Sequence, residues 1–143
     1  MKTIEVITPK GLVHVPSFEI EGCRGLAVTS CVFGHFEVTH VKSGRRIIGG
    51  YERAVNATCL MLEIYLGLKE AGIDPDLEME ELQQAMIKSE VQCKILGNMT
   101  VMQHINILKP IMGYSGEFPW EGDDESPFTR LDELKAILLE QQS

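Results

Sequence analysis

The sequence predicts an α+β fold, in which an N-terminal antiparallel β-sheet of about 4-5 strands packs on a long central helix and a helical C-terminal part closes the core. Three features predict it. Residues 2–48 alternate apolar and polar side chains in short runs cut by Gly and Pro turns, the pattern of an antiparallel meander. At about Tyr51 the period becomes helical and holds to Ala71, and two further helical stripes follow beyond Asp74.

Lys2–Thr8 sets Ile4 and Val6 against Thr3 and Glu5, and Pro9-Lys10-Gly11 turns the chain. Leu12–Ile20 repeats the alternation, with Pro16 confining its middle to an edge or a bulge. After the glycine-flanked turn Glu21–Gly25, Leu26–Phe33 reads as a third strand and Gly34-His35 as a break. Phe36–Val41 and Arg46–Ile48 then form a hairpin about Lys42-Ser43-Gly44-Arg45, where Gly44 supplies the positive φ of a tight turn. Glu37, Thr39 and His40 fall near the face opposite Phe36 and Val38. Gly49-Gly50 is expected to end the strand pattern and redirect the backbone.

The central helix is expected over residues 51–71. Ala54, Ala57, Met61, Ile64 and Leu68 share one stripe, and Val55, Leu62 and Leu66 an adjoining one. Only Glu52, Arg53, Asn56, Glu63, Lys69 and Glu70 are plainly solvent types, so this helix is expected to be covered on more than one side. More apolar surface than one sheet face covers suggests a homodimer or a higher oligomer. Gly72 and Pro75 stop the helix.

Asp74-Pro75-Asp76 is expected to open a second helix running to about Ser89, with acids in its first turns where the helix dipole favours them. Val91–Leu96 reads as a strand. Met99–Leu108 fits either period, with a helix ended before Pro110 slightly preferred. Residues 110–127 hold three glycines, three prolines and a run of acids, and read as a long loop. Thr129 with Asp132 suggests a capping box for a C-terminal helix carrying Leu131, Leu134, Ile137 and Leu138. All 143 residues are expected to form a single domain, with 1–50 mostly β and 51–143 mostly α.

The 44% hydrophobic and 24% charged fractions are those of an ordinary globular protein. No apolar run approaches the roughly 18 residues that cross a bilayer, and the N-terminus has no apolar leader core. A cytoplasmic protein without membrane partners is the expectation. Cys23, Cys31, Cys59 and Cys93 form no close-spaced pair and read as small buried hydrophobes.

Charge is unevenly distributed. Residues 1–53 carry seven basic and five acidic side chains, net +2, whereas residues 54–143 carry six basic and sixteen acidic, net −10. Nucleic acid is therefore an unlikely partner for the chain as a whole, because phosphate contacts need a basic face. His40, Lys42, Arg45, Arg46 and Arg53 nevertheless cluster at the hairpin and the following helix start, with no acid between Glu37 and Glu52. Arginines beside glycines present both guanidinium forks and exposed backbone N–H groups to an anion.

The leading expectation is a non-catalytic binding protein that captures a small anionic, nucleotide-like ligand through His40, Lys42, Arg45, Arg46 and Arg53, with Tyr51 available for stacking. A second is a protein–protein regulator or inhibitor of the phage or mobile-element accessory type, using the acidic half and a contact surface of Phe118, Trp120, Asp123 and Asp124. A small enzyme stands third, since the sequence carries no nucleophile elbow, cofactor fingerprint or metal-ligand spacing. A DNA-binding accessory role stands fourth, because VTHVKSGRRIIGGYERA resembles small sheet-plus-helix modules that read DNA with a basic sheet face. No cofactor and no metal are expected.

Overall fold

The structure, a computed structural model, describes residues 3–30, 35–51, 53–111 and 127–142. The strands are β1 (Thr3–Thr8), β2 (Gly11–Phe18), β3 (Leu26–Thr29), β4 (Phe36–His40) and β5 (Arg45–Tyr51). They form a five-stranded antiparallel sheet in sequence order. The helices are α1 (Ala54–Glu70), α2 (Met79–Lys88), α3 (Val101–Ile111) and α4 (Pro127–Gln142), with a 3₁₀ turn over Lys94–Leu96. The chain has the predicted α+β architecture.

The sheet curls on itself. β2 pairs with β1 through its first part and with β3 only at Ser17 and Phe18. The β1 edge then meets the β4–β5 turn, where the Ile7 amide donates to the Gly44 carbonyl at 3.0 Å. Gly44 has φ +71°, and a Cβ there would fall 2.6 Å from the Glu5 carbonyl oxygen. Only glycine allows both the turn and this closure.

Alternation assigns the two sheet faces. Leu26, Val28, Val38 and Ile48 are buried in the main core with α1. Val6, Val15, Ala27, Thr29, Glu37 and Thr39 are also buried, and the strand register places them on the opposite, inner face of the curl.

Helix α1 buries twelve of its seventeen residues. The sheet covers one side, and α4, α3 and the 3₁₀ turn pack on others. The surplus apolar surface that suggested an oligomer is thus covered within the chain, and oligomerisation draws no support from it. Asn56, a solvent type by sequence, is buried as well.

Several boundaries differ from expectation. The helix begins at Ala54 rather than Tyr51, because Gly49-Gly50 does not break the strand: β5 continues to Tyr51, which pairs with Phe36 across an irregular register. Helix α2 starts at Met79, and Asp74 instead caps a turn by accepting the Asp76 amide at 2.9 Å. Residues 91–96 are not a strand. Glu70 accepts the Lys94 and Ile95 amides at 2.7 and 3.0 Å and draws the chain into the 3₁₀ turn, leaving one bridge between Cys93 and Met99.

The ambiguous segment is helix α3, which continues through Pro110 to Ile111. A reciprocal capping box fixes its start: the Gln103 amide donates to Thr100 Oγ1 at 3.1 Å and the Thr100 amide to Gln103 Oε1 at 3.0 Å. Helix α4 begins at Pro127, so Thr129 lies inside its first turn rather than at a cap. Phe118, Trp120, Asp123 and Asp124 lie outside the described residues.

Candidate functional site

The six residues expected to bind an anion do not form one cluster. His40 is fully buried. Its Nε2 lies 2.9 Å from the Leu77 carbonyl, an obligate acceptor, so Nε2 carries the proton. Nδ1 then accepts from the Ser43 hydroxyl at 2.7 Å and the Ser43 amide at 3.3 Å. His40 is a structural pin. Tyr51 is buried in the main core and offers no face for stacking.

Lys42 is turned toward the start of α2, with Nζ 3.2 Å from Glu78 Oε1 and donating to the Asp76 carbonyl at 3.3 Å. Nearby Arg24 lies 4.0 Å from Asp76 Oδ2. Arg53 is exposed at the N-cap of α1, 3.3 Å below the first intrahelical amide of Ala57 by its own carbonyl. Arg45 and Arg46 open β5 and are exposed, and among the described residues neither enters an ion pair. The basic surface of this hairpin therefore reduces to two adjacent arginines.

A polar group that sequence reasoning missed lies on the inner face of the curl. Glu37 is 7% exposed, and its Oε1 accepts from Thr29 Oγ1 at 3.2 Å. The Thr29 proton is committed to that bond, so the Thr39 hydroxyl, 2.7 Å away, donates to Thr29. Arg46 approaches the same place. A Cβ on Gly49 would fall 2.7 Å from Arg46 Cδ and 2.8 Å from Glu37 Cβ, so the stems of these two side chains flank the glycine. The signal was the alternation of Phe36–His40 itself, but only the curl shows that both faces are covered.

Two further polar regions exist. A cleft of about 430 Å³ is lined by Glu19, Glu21, Cys23, Arg24, Val41 and Asp76. On the other side of α1, Glu63 joins three helices, with Oε2 3.2 Å from His104 Nε2 and Oε1 accepting from Arg130 Nε at 3.2 Å. The His104 contact has ion-pair distance without hydrogen-bond direction. Arg130 also donates to Glu133 at 3.3 Å, so this network fastens α3 and α4 to α1.

The described thiols are poor nucleophiles. Burial pushes the Cys23 thiol up to about 12, with the Glu19 carboxylate adding to the shift. Cys59 is likewise pushed up to about 12, by burial and then by Glu63, against smaller opposite effects of Arg130 and Lys135. Burial also raises Cys93, with Glu70 contributing. Such thiols stay protonated near neutrality.

Among the described residues no group of three or more His, Cys, Asp or Glu is placed to hold a metal, and no helix is long and apolar enough to cross a membrane. No protein-family model, curated protein or solved structure matches the chain.

Proposed function

We propose that the protein is a non-catalytic binding protein that takes a small anionic ligand at Arg45 and Arg46. The supporting observation is a contrast within one hairpin. Lys42 and neighbouring Arg24 face acids of the α1–α2 turn, whereas Arg45 and Arg46 are exposed and meet no acid in an ion pair among the described residues. Arg45 pairs with His40 and Arg46 with Thr39, so the two project from opposite faces of the strand and each offers its own guanidinium fork to an anion. The buried Tyr51 leaves a nucleotide base without its expected stacking partner, so charge and not a ring carries this reading.

The test is a chemical-shift titration of the full chain with inorganic phosphate and small carboxylates. Shifts centred on Arg45 and Arg46, lost in the Arg45→Glu/Arg46→Glu double variant with its fold intact, support the reading. Unchanged binding in that variant removes it.

A protein partner is the second reading, favoured by the outward face of the β1–β2 hairpin. There Ile7, Leu12 and Phe18 are 50%, 66% and 53% exposed on one side of the sheet. Affinity capture compared between the wild type and Leu12→Ser/Phe18→Ser reads this directly: a partner kept by the variant excludes that face.

A further inference from the structure

We infer that the cleft between the β2–β3 turn and the α1–α2 connection binds a small organic cation, a primary amine carried on a short alkyl body. Neither Arg45 nor Arg46 lines this cleft, so it and the anion reading above stand or fall separately.

The cleft holds about 430 Å³, within the range of small-molecule sites. Its walls are connections pinned to one another and to the β4–β5 turn. The Val41 amide donates to the Gly25 carbonyl at 2.9 Å, and the Cys23 amide closes the β2–β3 turn on the Ile20 carbonyl at 2.9 Å. A Cβ on Gly25 would fall 3.0 Å from the Pro75 carbonyl oxygen, so the two connections touch through their backbones. From the hairpin, His40 Nε2 donates to the Leu77 carbonyl and Lys42 Nζ to the Asp76 carbonyl, which fixes the far wall. A ligand therefore meets walls already in place and orders little of the chain on entry.

Two independent features of the lining select the ligand. Cys23 is 3% exposed and lines the cleft, yet among the described residues its thiol has no hydrogen-bond partner, whereas the Cys93 thiol donates to the Gly67 carbonyl at 3.3 Å. A buried polar group left unpaired in a cleft wall marks a place for a ligand atom. Glu19, Glu21 and Asp76 give the lining three negative charges against the single positive charge of Arg24, a net of −2. Arg24 lies 4.0 Å from Asp76 Oδ2 and offsets part of that charge. Lys42, outside the lining, is already met by Glu78 at 3.2 Å. The charge that remains favours ammonium donors, and Ile20, Val41 and the thiol sulfur give alkyl carbons an apolar contact. Among the described residues no three acids, thiols or imidazoles are grouped to hold a metal, so the complement is an extended organic cation and not a single ion.

The experiment is a chemical-shift titration of the full chain with butylamine, putrescine and butyrate at neutral pH and constant ionic strength, repeated on Glu21→Gln/Asp76→Asn. Both substituted residues are exposed, so the variant is expected to fold. Both amines are expected to shift the amides of residues 19–25, Val41 and Asp76, with putrescine bound roughly fivefold more tightly because it carries a second charge. The double variant is expected to weaken both amines roughly tenfold. Butyrate, of the same length and opposite charge, is expected to leave these amides unmoved.

Butyrate bound as tightly as butylamine overturns the inference, as does a folded double variant with wild-type amine affinities. Amine shifts that map away from the cleft, or no amine shifts at all, overturn it equally. Should the double variant fail to fold, Glu21→Gln alone decides, by the same loss of amine affinity or its absence.

Discussion

At the scale of single residues, His40 does the work of a fastening. It joins the β4–β5 turn to the Leu77 carbonyl across thirty-seven positions of sequence, and both ring nitrogens are engaged. His40→Ala removes these bonds and opens a cavity, and is expected to cost about 2–4 kcal/mol in urea denaturation. Gly44→Ala meets both a positive φ and the Glu5 carbonyl at 2.6 Å, and a comparable loss of stability is expected in the same assay. The buried thiols give a pH signature. Cys23 and Cys59 lie at about 12 in the fold against an ordinary 9.0, so the stability tied to their protonated forms is complete below pH 9 and lost as pH rises toward 12. The urea midpoint is expected to fall across that window, less steeply in Cys23→Ala/Cys59→Ala. Neither thiol should react with a thiol reagent at pH 8 until the protein is unfolded.

At the scale of elements, local signals and long-range contacts divide the outcome. Thr100-Val101-Met102-Gln103 is a capping box written in the sequence, and it decides a segment whose hydrophobic period fits both helix and strand. Thr100→Ala is expected to cost about 1 kcal/mol, read by thermal denaturation, with exchange protection lost first in α3. Glu63 looks like a solvent residue of α1, yet it meets His104 on α3 and Arg130 on α4. Glu63→Gln removes the carboxylate that links His104 on α3 to Arg130 on α4, leaving Arg130 only its Glu133 partner within α4. Hydrogen exchange is expected to show α4 loosened relative to the sheet, at an overall cost of about 1–3 kcal/mol.

At the scale of the whole molecule, the uneven charge distribution becomes an internal contact. The hairpin tip through Lys42 and the β2–β3 turn through Arg24 dock on the acidic α1–α2 connection, and Gly25 packs a φ of +90° against the Pro75 backbone. A charge cluster read from sequence as one ligand site is thereby divided: part fastens the fold and part remains exposed. The same tertiary closure covers α1 and turns Glu37 and Thr39 into an enclosed polar face. Native mass spectrometry of the purified protein, followed by denaturation, reads subunit count and retained ligand together. Release of a small anion would agree with the arginine reading, and an empty oligomer would direct attention to the Ile7, Leu12 and Phe18 face.

The periods of the five strands and of α1, the β4–β5 turn at Gly44 and the order sheet, long helix, helical remainder are legible in the sequence, because they follow from neighbours within a few positions. Only the tertiary structure decided which polar residues face water. His40, Glu37 and Asn56 are ordinary surface types by composition, and their burial depends on a curl closed between Ile7 and Gly44 and on helices that return from far along the chain. Periodicity says which residues share a face; what comes to lie against that face is set by contacts remote in sequence.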